Sequence, residues 1–201
     1  MCAPHVIDSI KHRVSNNRIV AIWMGITCAS FSRARRGKPG GRGWPPPLRG
    51  DSADLVWGLP NLSPKDKDRV AQGNRLALQL VCYVKLCIKF GVPIVIENPE
   101  TSRLWILPPF LKLLEQANVI TLHQCQFGAS HKKPTKLAGW NIDLSSLEQK
   151  CTTTKGLCSC SGVAHVRLEG ITSSGKFSTA NASAYPVGLC SAVSKVVHSL
   201  V

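Results

Sequence analysis

Two residues have the types and positions for covalent chemistry on an electron-poor ring. Cys28 follows an apolar run and, in GITCASFSRARR, precedes Arg33, Arg35 and Arg36. A positive surrounding favours the thiolate, which is the nucleophilic form of cysteine. Glu97 closes the run VPIVIE and begins Glu97-Asn98-Pro99. A carboxyl there is placed to hydrogen-bond a substrate as charge develops on it. Each residue also has a plainer reading. Cys28 can be a small apolar residue at a strand end, and Glu97 a capping or paired structural acid. Together they suggest a thiolate that adds to a ring and an acid that holds it.

A second group has metal-ligating chemistry. Cys151, Cys158 and His165 lie close together in a stretch without hydrophobic periodicity, and either Cys125 or Cys160 would complete four ligands. Thiolate with imidazole is the donor set zinc prefers, although this spacing is not that of a standard finger, and free thiols in a loop are the alternative. His123 and His131 read as surface or phosphate-facing residues.

The elements that position these side chains follow from pattern. Arg18 to Ile26 (RIVAIWMGI) reads as a strand buried on both faces. Thr27 to Pro64 is rich in glycine, proline and arginine, which forbids a long regular element. Ser63, Pro64, Asp66 and Asp68 form a helix start, and Val70, Leu76, Leu80, Val81, Val84 and Ile88 continue a helix to about Phe90. Gly91 ends it, and Val92 to Glu97 is a second buried strand. Strand, loop, helix, strand is a crossover unit of an α/β protein with a parallel sheet, in which functional residues gather at the carboxyl ends of the strands. Cys28 and Glu97 both fall there. Ser102 to Gln116 reads as a helix split by Pro108 and Pro109, Val119 to His123 as a short strand, Cys151 to Gly170 as irregular, and Pro186 to Leu200 as a closing helix.

The chain of 201 residues is 44% hydrophobic and 18% charged, which suits one folded domain and excludes a disordered one. It divides into a lead-in (1–17), an α/β catalytic half (18–123), a basic and Cys/His-rich region (124–185) and the closing helix (186–201). The net charge is +14, with 25 Lys and Arg against 11 acids. No acid lies between Asp8 and Asp51, whereas Arg33, Arg35, Arg36, Lys38, Arg42 and Arg49 do. With Lys132 and Lys133 they are the candidate contacts of a surface that meets phosphates. No apolar run is long enough to span a bilayer, so no membrane association is expected. The nine cysteines without a signal-peptide pattern point to an intracellular compartment, the nucleus in a eukaryote or the cytoplasm in a prokaryote or phage.

GITCASFS resembles the Pro-Cys motif of cytosine carbon-5 DNA methyltransferases, and IENPETS their Glu-Asn-Val motif. From about Val6 to Ala192 the chain is similar to methylase-like proteins of phages and mobile-element-rich genomes. It shares with them, in order, phrases like FSRARR, GLPNLSPKDKDRVAQGN, IENPETSRLW, HQCQFG with KKPTKL, and YPVGLC. The resemblance implies a truncated Rossmann-like methyltransferase domain with a mostly parallel sheet and an irregular, zinc-stabilised C-terminal segment. It further implies that Cys28 adds to carbon 6 of a flipped cytosine while Glu97 binds the ring, with S-adenosylmethionine as methyl donor. Thr27 stands where the family has proline. No strand and glycine-containing turn for the donor precede Arg18, and the lead-in is too short for a βαβ unit of about 30 residues. The chain is therefore expected to turn over weakly or not at all by itself. Either a separate donor-binding polypeptide completes it, or it is an inactive nucleic-acid-binding module.

Overall fold

A computed structural model describes residues 4–16, 18–37, 45–153, 155–168 and 178–200. Four strands form one sheet: β1 (Ile22–Gly25), β2 (Ile94–Pro99), β3 (Asn118–His123) and β4 (Pro134–Trp140), in the spatial order β1-β2-β4-β3. The helices are α1 (Pro4–Ser15), α2 (Pro64–Lys89), α3 (Pro108–Leu114) and α4 (Val187–His198). The protein is an α/β fold with a four-stranded mixed sheet.

The crossover predicted from pattern is present. β1 and β2 are parallel, with Ile22 opposite Ile94 and Gly25 opposite Glu97, and α2 connects them. The start of α2 follows from its first residues. Pro64 needs no hydrogen-bond donor at the first position, and Ser63 caps the helix by accepting the N–H of Asp66 at 3.2 Å. Val70, Ala77, Leu80, Val81, Val84 and Cys87 recur at helical spacing and are buried. Gly91, at φ +68°, makes the left-handed turn that sends the chain into β2.

The expectation of a mostly parallel sheet needs correction. β4 is antiparallel to both β2 and β3, so only one of the three strand pairings is parallel. The connection from Gln124 to Lys133 explains this, since neighbouring parallel strands need a longer crossover, usually helical, whereas antiparallel neighbours do not. β1 is also shorter than expected and only half-buried, because it pairs on one side alone. β2 is buried on both faces through Asn98, as its apolar run predicts. Pro108 does split the segment after β2, giving a 3₁₀ turn at Arg103–Ile106 and then α3.

Alternation along β2 divides the core. Ile94 and Ile96 face α2 with Ala77, Leu80, Val84, Phe110 and Trp140, whereas Val95 faces Ile120, Leu137, Leu144 and Leu189. Glu97 has the parity of Val95 and shares its face with Gly25 and Trp23 of β1. A sequence alternation that is otherwise apolar thus puts one carboxyl at the end of the second core. No helix among the described residues is long and apolar enough to cross a membrane.

Candidate active-site cleft and metal centre

Cys28 lies three residues beyond Gly25, and Gly25 is the register partner of Glu97. The parallel pairing therefore brings the thiol and the carboxyl to one end of the sheet. Both line a cleft of about 830 Å³, together with Ser32, Ser102, Lys133 and Tyr185. The side-chain amide of Asn98 donates to the carbonyl of Ile26 at 2.9 Å, and the N–H of Arg103 donates to the carbonyl of Phe31 at 3.0 Å. These bonds hold the loop that carries Cys28 against the end of β2.

Glu97 is 6% exposed, and its Oε2 accepts the hydroxyl of Tyr185 at 2.9 Å. Its Oε1 is buried and has no partner among the described residues. Burial pushes the Glu97 carboxyl up, while the Tyr185 hydroxyl and the Lys133 ammonium pull it down. Tyr185 accepts the indole N–H of Trp23 at 3.3 Å, and the two rings pack edge to face with centroids 5.9 Å apart. The Cys28 thiol is also pushed up, chiefly by burial and further by Glu97, against a backbone hydrogen bond and Lys133. The expected thiolate favoured by arginines is therefore corrected: the thiol is raised, and the cation that acts to lower it is Lys133.

The arginines instead hold the loop together. Arg33 donates to Thr101 O at 2.9 Å and to Asp51 Oδ2 at 2.7 Å, and Arg103 grips the other oxygen of Asp51 at 2.8 Å. Arg35 donates to Pro46 O at 2.9 Å and lies 3.9 Å from Asp66. Arg49 is 1% exposed, so its assignment as a phosphate contact is corrected. It donates to Ser30 Oγ, Val56 O, Val70 O and Asn74 Oδ1, and stacks 3.8 Å over the Phe31 ring. Burial brings its guanidinium down to about 10, with a contribution from Arg103, and it still stays charged at neutral pH. Arg36 is exposed and Lys132 half-buried, while Lys133 reaches into the cleft and donates to Ala182 O at 2.7 Å. Lys38 and Arg42 lie outside the described residues.

At the carboxyl end of β3, which the register places at the same end of the sheet as Pro99, the ligand atoms of Cys125, Cys151, Cys158 and His165 all lie within 4.8 Å of one another. Cys125 comes from the 3₁₀ turn Gln124–Phe127 that follows β3, and the other three from the irregular segment beyond Lys150. Cys151 Sγ is 3.9 Å from Cys158 Sγ and 3.7 Å from His165 Nε2. A tetrahedral ion at sulfur distances of about 2.3 Å needs sulfurs about 3.8 Å apart. The cluster could therefore hold a metal ion. Cys160 is exposed and outside it, so of the two sequence alternatives the geometry selects Cys125. Hydrogen bonds from Thr153 and Ser159 hold the Cys151 thiol low, and the N–H groups of Ser161 and Cys160 do the same for Cys158. Burial raises Cys125 to about 12.

His123 is not a surface residue. It is 9% exposed, and its Nδ1 accepts the N–H of Cys151 at 2.8 Å, which seats that ligand. His131 is half-buried. Sequence reasoning assigned no role to Tyr185, Trp23 or the His123–Cys151 contact. The tyrosine was visible only as part of YPVGLC, where nothing marks it as a neighbour of Glu97. Compared with family models, curated proteins and solved structures, the chain matches none.

Proposed function

We propose that this protein is a cytosine carbon-5 DNA methyltransferase-like protein whose cleft adds Cys28 covalently to a flipped cytosine. The observation that carries the reading is that Cys28 and Glu97 share one cleft, with one oxygen of the buried carboxyl left without a partner. In the addition, the Cys28 thiol gives up its proton to water, the thiolate Sγ bonds to carbon 6, and the carbon 5–carbon 6 π electrons move to carbon 5. Glu97, whose carboxyl burial pushes up, donates in its protonated form to ring nitrogen 3 as charge spreads there. Carbon 5 becomes nucleophilic and takes up an electrophile, the simplest being a proton from water. Loss of a proton from carbon 5 then expels the thiolate and restores the ring. Lys133 offsets the cost of forming the thiolate next to Glu97.

S-adenosylmethionine would supply the methyl electrophile when bound. Among the described residues no strand leads through a glycine-rich turn into a helix with an acid placed for a ribose. The β1-α2-β2 unit fits the catalytic half of a Rossmann-like domain. DNA is the proposed partner on the basis of the +14 charge and the cations Arg36, Lys132 and Lys133. The eight described cysteines are free, which fits an intracellular, reducing compartment. At the second centre we propose zinc, held by Cys125, Cys151, Cys158 and His165 as a structural ion. The three thiols and one imidazole offer it four soft ligands, and no open position is left for catalysis.

One observation favours a second reading, a basic module that binds nucleic acid without methylating it: the Cys28 thiol is raised, not lowered. Fluorine at carbon 5 cannot leave as a cation, which separates the two. Incubated with S-adenosylmethionine and DNA containing 5-fluorocytosine, the enzyme gives an adduct that Cys28→Ala lacks. Salt-sensitive DNA binding without an adduct, and no calorimetric signal for the donor, would leave only the module.

A further inference from the structure

Trp23, Tyr185 and Glu97 form a chain of hydrogen bonds whose direction is fixed by chemistry. The indole N–H only donates, so at 3.3 Å from Trp23 Nε1 the Tyr185 oxygen must accept. That oxygen keeps a second lone pair, but among the described residues Glu97 Oε2 is the acceptor its own proton has, so the proton bridges the 2.9 Å to Oε2. Oε2 is thereby occupied as an acceptor. Gly25 makes the arrangement fit, because a Cβ at that position would stand 2.5 Å from the Tyr185 hydroxyl and 3.3 Å from Glu97 Oε2. Glu97 has its other oxygen, Oε1, buried and unpartnered in a residue that lines the cleft.

We propose that Tyr185, locked by Trp23, is a positioning residue that forces the acidic proton of Glu97 onto Oε1. The cleft then presents a directed O–H donor to its ligand, and prefers a ring nitrogen that carries a lone pair over one that carries a hydrogen. A pyrimidine with an amidine edge is accepted, and one with an imide edge meets O–H against N–H. The inference rests on reading Glu97 as the acid of this cleft. Among the described residues, the other charged or titratable groups that line the cleft with Glu97 are Cys28 and Arg33 from the loop after β1 and Lys133 at the head of β4. Arg33 is already committed to Asp51 and Lys133 to Ala182 O, so neither competes with Tyr185 for Oε2.

Infrared difference spectra of the free protein, taken across the Glu97 titration, read the proton's position directly. Glu97→Gln identifies the acid carbonyl band by removing it. If the proton is on Oε1, the carbonyl is Oε2 and accepts from Tyr185, so Tyr185→Phe moves the band to higher frequency. The titration midpoint also moves upward, since a donor to the carboxylate is lost. Gly25→Ala, which displaces the hydroxyl while keeping the tyrosine, gives the same two shifts and serves where the phenylalanine variant does not fold. An unchanged band and midpoint in a folded variant overturn the proposal. No nucleic acid enters the measurement, so a protein that never adds to cytosine can still pass it, and one that does add can still fail.

Discussion

The two central side chains are shifted by the same cause, burial at the carboxyl ends of β1 and β2, which raises both the Cys28 thiol and the Glu97 carboxyl. Glu97 has a raised carboxyl in the folded chain. The stabilisation tied to its neutral form is complete at acid pH and is lost as the pH rises through the folded value. Glu97→Gln is therefore expected to raise the melting temperature at pH 8 and leave it nearly unchanged at pH 4, read by thermal unfolding at both. A higher melting temperature for the wild type at pH 8 would mean that the carboxyl is not desolvated. Cys28 is raised by burial and by Glu97 and lowered by Lys133. Its alkylation by iodoacetamide should be slow at pH 7, climb about tenfold per pH unit in the alkaline range, and slow further in Lys133→Gln. Equal rates in the lysine variant would remove the ammonium from the account. Little of this was readable in advance. Sequence shows that arginines follow Cys28, but not that Asp51, Asp66 and backbone carbonyls take up Arg33 and Arg35 while Lys133 arrives from far along the chain.

Legibility differs sharply between elements, for physical reasons. α2 and β2 announce themselves because one has a serine cap, a proline start and a helical apolar period, and the other an unbroken apolar run. β4 is hidden, since PTKLAGW mixes a proline, a lysine and a glycine into a central strand, where tertiary packing overrides weak strand propensity. α1 passes as a lead-in although Ile10 and Val14 are spaced as on one helix face, and Val14 is fully buried. The loop after Cys28 reads as an irregular stretch with cations free for phosphates, yet its Arg49 is an internal brace. Gly73 of α2 is what admits that brace, because a Cβ there would stand 2.6 Å from Ser30 Oγ and 2.8 Å from Arg49 Nη2. Arg49→Met should cost about 3 kcal/mol in denaturant unfolding, as several buried acceptors lose their donor at once. A cost below about 0.5 kcal/mol, the range of ordinary surface changes, would show that the guanidinium is not bracing the loop.

On the scale of the whole molecule, two chemistries sit at opposite demands: a cleft that must stay accessible, and a thiol cluster that ties an irregular segment to the end of β3. Cys125, Cys151, Cys158 and His165 could hold a metal ion, and an ion there would replace the hydrophobic pattern that this segment lacks. Zinc at one ion per chain is expected by elemental analysis, with chelation lowering the melting temperature, Cys151→Ser doing the same, and Cys160→Ser leaving both unchanged. DNA affinity should fall with salt by a log–log slope of about −0.9 per phosphate neutralised, and Arg36→Ala or Lys132→Ala should each flatten it by about one contact. The central claim, that Cys28 adds to cytosine under the hand of Glu97, is tested most directly without any methyl donor. Addition at carbon 6, protonation at carbon 5 and elimination exchange the carbon 5 hydrogen with solvent. Duplex DNA carrying deuterium at carbon 5 of cytosine, incubated with the protein and analysed by mass spectrometry, is predicted to lose its label with the wild type and retain it with Cys28→Ala. Full retention with the folded, DNA-bound wild type would contradict the claim.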